Sequence, residues 1–260
     1  MARVQVGDVE VGYEVSGEGD PFVLVHGSTG GSRHWAQVAP AMTATHRLVV
    51  PDYAGGTDTP DGGGPLEVDD LASQVLAAAD DAGAERFHLA GWSLGSVVAA
   101  VIAARCPDRV RSLALVCGWA RTDARLRFTM DLWQRLLAAD PDLFARYTFA
   151  DGLTAGTFEL LGPAVEDLVP VTASTFSPGS ARHAELNTRI DIEDRLGGIT
   201  APTLVVGGLE DRWITIEHSR ALAGAIAGAR LVELDCGHLV PSERAGELAD
   251  LLLAHAASAA

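Results

Sequence analysis

Three residue types that together make a polarised nucleophile recur in this chain just past apolar runs: a serine, an aspartate and a histidine. Ser93 stands in Gly91-Trp92-Ser93-Leu94-Gly95. A Gly-x-Ser-x-Gly between a strand and a helix forms a tight, strained turn that holds the hydroxyl out at the sheet edge. Close neighbours of such a serine must be small, and Gly91, Gly95 and Ser96 are. A serine hydroxyl near neutral pH needs a base to take its proton and a third group to orient that base. His238 ends Asp235-Cys236-Gly237-His238, and Asp211 ends Gly208-Leu209-Glu210-Asp211. Glu210 competes with Asp211, but would point elsewhere on the turn. The backbone N–H groups of Leu94 and of Ser28, in His26-Gly27-Ser28-Thr29-Gly30, would converge as an oxyanion hole, the largest electrostatic contribution in acyl transfer. The chemistry these residues point to is nucleophilic attack on an acyl carbon.

Such groups need rigid strands behind them. Residues 3–6 and 9–15 alternate apolar and polar about Gly7-Asp8, which predicts a hairpin. Residues 21–26, 46–52, 86–90, 110–117, 202–207 and 230–235 are short apolar runs, as expected of strands buried on both faces. Residues 32–42, 66–82, 96–105 and 248–257 read as helices between or after them. Strand alternating with helix predicts a parallel sheet with right-handed crossovers. Ligands then bind at the carboxyl ends of the strands, where Ser93, Asp211 and His238 fall.

Between residues 121 and 198 the rhythm changes: no strand is evident, and residues 126–139 and 141–149 are amphipathic. This predicts a helical cap over residues 121–198, inserted into a core domain of residues 1–120 and 199–260. Trp92 and Trp35 are candidate pocket walls, together with Phe128, Trp133 and Phe144 of the cap. Residues 58–65 form a Gly-rich loop, and Gly62-Gly63-Gly64 within it read as flexible linker, with no helix start to receive a phosphate.

The chain has 260 residues, 48% hydrophobic and 21% charged, as in an ordinary globular protein. A net charge of −16 argues against nucleic acid or an anionic membrane as partner. All 19 basic residues are arginine. The start of the chain lacks an apolar signal segment, and no apolar run approaches the length of a membrane span, which predicts a cytoplasmic protein. Cys106, Cys117 and Cys236 lack metal-type spacing and read as buried thiols. Neither a metal nor an organic cofactor is expected; the partner is a small-molecule substrate, and homo-oligomerisation is left open. His26 and Asp52 read as structural, His88 as a satisfied core residue, and His183 as a cap residue within reach of a ligand.

On the His26-Gly27 loop, the Ser93 elbow, Asp211 and the Gly237-His238 pair, in that order, the chain resembles the α/β-hydrolase fold family from about residue 3 to residue 257. The resemblance implies an α/β fold with a mostly parallel eight-stranded sheet flanked by helices, and a helical cap after the sixth strand. It also implies Ser93 as nucleophile, His238 as general base and then acid, and Asp211 as its partner. Where the family usually carries Asp-x-Arg-Gly-x-Gly, this chain has Asp52-Tyr53-Ala54-Gly55-Gly56. Without the arginine that loop must be held differently. The expected activity is serine hydrolysis of an ester, thioester or lactone with a small or medium-sized apolar or aromatic acyl group. The alternative keeps the triad for C–C bond hydrolysis, acyl transfer or cyclisation. Serine in place of aspartate argues against the dehalogenase and epoxide hydrolase branches.

Overall fold

A computed structural model describes residues 1–59 and 63–259. Gly62, part of the linker expected above, lies outside the described residues. The strands are β1 (Ala2–Val6), β2 (Val9–Ser16), β3 (Asp20–Val25), β4 (His46–Asp52), β5 (Phe87–Trp92), β6 (Val110–Val116), β7 (Thr203–Gly208) and β8 (Arg230–Leu234). They form one eight-stranded sheet in the order β1-β2-β4-β3-β5-β6-β7-β8. β1 and β2 pair as the expected antiparallel hairpin, β2 runs antiparallel to β4, and every later pairing is parallel.

Side-chain alternation along each central strand divides the core in two. Val23, Val25, Leu89, Leu113, Leu115 and Val205 face one side, packed with helices α2 (Val68–Asp81) and α3 (Leu94–Arg105). Phe22, Leu24, Ala90, Ala114, Val116, Leu204 and Val206 face the other. There they meet α1 (Ala39–Met42) and, through Leu248 and Leu252, the C-terminal helix Ala245–Ser258. Alternate residues of one strand must point to opposite faces, so a strand covered on both sides reads as continuously apolar. Residues 94–103 of α3 are all buried, as a helix hydrophobic all round requires. The stretch expected as one helix over residues 32–42 is instead a 3-10 turn (Ser32–Trp35) followed by α1, with Pro40 at the start of the latter. Proline lacks the N–H that a continuous helix would need there.

Between β6 and β7 stand α4 (Ala124–Ala139), α5 (Pro141–Gly152), α6 (Ala155–Leu161), α7 (Val165–Ala173) and α8 (Ser180–Asn187). Asp123 caps α4 by accepting from Leu126 N–H, Asp140 caps α5 at Asp142, and Thr154 caps α6 at Thr157. The segment leaves and re-enters the core side by side. Arg121 and Asp191 form an isolated antiparallel bridge, Thr122 N–H donates to Ile190 O (2.9 Å), and Ile192 N–H to Ala120 O (2.8 Å). After β7 come α9 (Ile216–Ala225) and, after β8, α10 (Val240–Glu243) and α11, the C-terminal helix already described. Among the described residues, no helix is long and apolar enough to cross a membrane.

Candidate active site

The strand ends of β5, β7 and β8 bring Ser93, Asp211 and His238 together. Ser93 sits between β5 and α3 with φ 56°, the left-handed region a serine rarely occupies. Its N–H donates to Val116 O of β6 (2.9 Å), which helps hold the strained turn. A Cβ on Gly95 would collide with the carbonyls of Val25 and His26, and one on Gly91 with the Gly95 carbonyl. Both elbow glycines are therefore demanded by close backbone approach.

His238 Nε2 lies 2.9 Å from Ser93 Oγ, and His238 Nδ1 lies 2.6 Å from Asp211 Oδ2. The other carboxylate oxygen, Asp211 Oδ1, accepts the N–H groups of Trp213 and Ile214, both at 2.9 Å. The aspartate is thus fixed as an acceptor, so Nδ1 must be the protonated nitrogen of a neutral His238 and Nε2 the one free to accept. All three side chains are buried. Cys117, one residue past β6, places its sulfur with ligand atoms of Asp211 and His238 inside a 4.8 Å cluster. Burial, reinforced by the negative charge of Asp211, holds that thiol well above its ordinary pKa and hence protonated. Cys236 turns into the core beside α11, and burial pushes its thiol up to about 12.

Groups with no sequence signal hold the His238 loop. Gly152 O, at the end of α5, accepts from His238 N–H (3.0 Å), and Glu243 Oε2 accepts from Gly237 N–H (2.7 Å). Glu243 Oε1 also binds Thr154 N–H and Oγ1 (2.9 and 2.8 Å), tying the loop to the start of α6. Trp92 Nε1–H donates to His238 O (3.0 Å).

The loop after β3 is braced from several sides. Tyr53 stacks on His26 (3.8 Å between ring centroids) and donates its O–H to His26 O (2.7 Å). His26 Nδ1–H donates to Gly27 O (2.7 Å), and burial keeps the ring neutral. Asp52 Oδ2 accepts Asp58 N–H (2.8 Å), while burial lifts its carboxyl to about 7. Ala54 stands where the resemblance would place an arginine, and the loop there is held through its backbone. Gln74 Oε1 accepts Ala54 N–H (2.7 Å), and His183 Nε2–H donates to Ala54 O (2.9 Å). His183 is fully buried against this framework. His88 pairs with Ser112 Oγ (2.8 Å) inside the sheet.

A cavity of about 280 Å³ opens over Ser93 and His238. Ser28, Trp92, Trp133, Phe149, Phe176 and Trp213 contribute to its wall. Of the expected pocket residues, Trp92 and Trp133 line it and three do not. Trp35 is buried in the core beneath the sheet. Phe144 is buried behind Trp133 and Phe176, with ring centroids 5.2 and 5.0 Å away. Phe128 is 75% exposed, because the inward row of α4 is Leu126, Thr129, Met130 and Trp133. His34, which carries no sequence signal, lines the cavity edge-on to Trp92 (4.9 Å). Burial lowers its pKa to about 4, helped by repulsion from the His183 and His238 rings. Among the described residues, the lining includes no aspartate or glutamate and one charged side chain, Arg33.

Residues 20–245 match the family model described as alpha/beta hydrolase fold. A pyrrolizixenacetamide deacetylase of Xenorhabdus hominickii is 36% identical, over 97% of this chain and 96% of that one. A protein of Azorhizobium caulinodans named as a carbamate hydrolase is 30% identical over 91% of each chain. The solved enol-lactonase of Burkholderia xenovorans LB400 superposes with a TM-score of 0.87 at 26% identity, covering 98% of this chain and 99% of that one.

Proposed function

Since the chain belongs to the α/β-hydrolase fold family and is an enzyme, we propose that it is a serine hydrolase that cleaves acyl compounds through an acyl-enzyme on Ser93. The 2.9 Å contact between His238 Nε2 and Ser93 Oγ carries this reading.

His238 Nε2 takes the Ser93 proton as Oγ bonds to the acyl carbon, and Asp211 stabilises the imidazolium through the Nδ1–H bond. The carbonyl electrons move onto oxygen, where the N–H groups of Leu94 and Ser28 receive them. The Leu94 N–H opens α3 and has no partner within its own helix, so it is available, with the positive end of the helix dipole behind it. As the tetrahedral centre collapses, Nε2–H passes its proton to the leaving atom and that bond breaks. Water then gives a proton to Nε2 as its oxygen bonds to the acyl carbon. On collapse the Oγ–acyl bond breaks, Nε2–H returns its proton to Ser93 Oγ, and the carboxylic acid leaves. In this reading the helices between β6 and β7 act as a cap, and its Trp133, Phe149 and Phe176 select small or medium-sized apolar or aromatic acyl groups. The bond is an ester, thioester or lactone; the names of the two sequence relatives add acyl groups on nitrogen to those worth assaying.

Short p-nitrophenyl esters and p-nitroacetanilide test this. Turnover that falls roughly 10⁵-fold in Ser93→Ala is expected, by analogy with other serine triads. Turnover unchanged by that substitution would refute the reading. Covalent labelling of Ser93 without turnover of any of these would move the assignment to C–C cleavage, acyl transfer or cyclisation.

A further inference from the structure

His183 and Asn187 lie four residues apart on α8, hence on one face of it, and both are buried. His183 Nε2–H is committed to Ala54 O, so Nδ1 carries a lone pair, and it accepts Thr29 N–H at 3.3 Å. Asn187 Nδ2 donates to Ser28 Oγ at 2.9 Å. Met130 Sδ, an acceptor 3.5 Å from the same nitrogen, fits this orientation of the amide. Two successive residues of the β3 loop are therefore gripped by one helix face.

That loop needs a grip. Thr29 has φ 66°, a conformation that persists in a non-glycine residue only when its surroundings over-determine it. α8 is itself anchored at both ends. Thr122 Oγ1–H donates to Asn187 O (2.6 Å) and receives Trp119 Nε1–H (3.0 Å), which fixes the end of α8 to the exit of β6. Ser177, just before α8, donates its Oγ–H to Gly55 O. Among the described residues, Asn187 Oδ1 is buried without a hydrogen-bond partner. A buried unsatisfied acceptor costs free energy that an apolar side chain would avoid, so packing alone does not account for an asparagine here.

We propose that His183 and Asn187 are positioning residues that hold Ser28 and Thr29 so that the Ser28 N–H points at the oxyanion. The inference rests on the acyl-enzyme reading and deepens it: α8 serves the chemistry at the sheet edge as well as covering it. Misplacing a stabilising group by about an ångström costs on the order of 100-fold in rate.

The test compares His183→Phe, which keeps a ring and removes both bonds, with His183→Asn, whose Oδ1 falls where Nδ1 stood, and with Asn187→Leu. Rates are normalised to active sites titrated with a fluorophosphonate. Affinity for phenylboronic acid, which adds to the serine as a tetrahedral anion, is measured beside that for benzamide, a planar mimic. In His183→Phe and Asn187→Leu, kcat should fall about 10- to 100-fold with little change in KM. Phenylboronate affinity should fall in parallel while benzamide affinity holds, and His183→Asn should recover most of both. If His183→Phe does not fold, Asn187→Leu carries the same expectation. Wild-type kcat and boronate affinity in the folded variants, or parallel losses for boronate and benzamide, would overturn the inference alone. A wild-type protein that neither takes phosphonate at Ser93 nor binds boronate would instead overturn the reading beneath it.

Discussion

The carboxyl edge of the sheet and the helices between β6 and β7 solve different problems, and they differ in how directly residue type dictates place. At the edge, Ser93, Asp211 and His238 each lie within a few residues of a strand end and are held by backbone groups: the Val116 carbonyl, the Trp213 and Ile214 N–H groups and, from the end of α5, the Gly152 carbonyl. A side chain there has one place to go. In the helical segment, several apolar side chains face outward, among them Phe128 and Leu160 at 75% and 86% exposed. Chemistry is fixed by strand ends; the shape of the cavity is fixed by which row of each helix turns inward.

Substitutions can widen or collapse that contrast. Asp211→Asn should lower kcat about 10⁴-fold with little change in thermal stability, because the amide keeps the shape but misplaces the proton on His238. Steady-state kinetics beside a melting curve would check it, and a loss below tenfold would remove Asp211 from the mechanism. Trp133→Ala and Phe128→Ala separate the two faces of α4. Removing the buried indole should cost about 3–5 kcal/mol of stability. Removing the exposed ring should change stability by less than about 0.5 kcal/mol. Urea denaturation of the two proteins decides this, and equal losses would mean that α4 is turned about its axis.

The smallest expected effect is a titration. Burial lowers the pKa of both His34 and His88 to about 4. The unfolded chain protonates these rings near pH 6.5, so between 6.5 and 4 it binds more protons than the folded one. Stability from these groups is therefore complete above about pH 6.5 and is lost as pH falls toward 4. Urea midpoints should be lower at pH 5 than at pH 7. His88→Asn should flatten part of that slope, and an unchanged slope would exclude His88 as a source.

Much of this was legible in the amino-acid order. A continuous apolar run bounded by turn residues reads as a doubly covered strand, so six parallel-sheet strands and the residues just beyond them could be located directly. The helices were legible as helices, but not their facing. Phe128 and Leu132 form a plausible apolar row four residues apart, yet the row that packs is Leu126, Thr129, Met130 and Trp133. Phe144 is apolar enough to line a pocket and sits behind one. His34, Glu243 and Asn187 were invisible because their partners are backbone atoms or residues far away in the chain, which no local spacing encodes. His183, expected within reach of a ligand, is instead buried against Ala54 and Thr29.

Whether Ser93 is the nucleophile decides the account. Incubation with a fluorophosphonate, followed by intact mass and peptide mapping, measures it directly, since the reagent loses fluoride only to an activated oxygen. A single phosphonyl adduct on Ser93, absent in Ser93→Ala and strongly slowed in His238→Ala, is the predicted result. An unmodified protein, or an adduct on another residue, would contradict it.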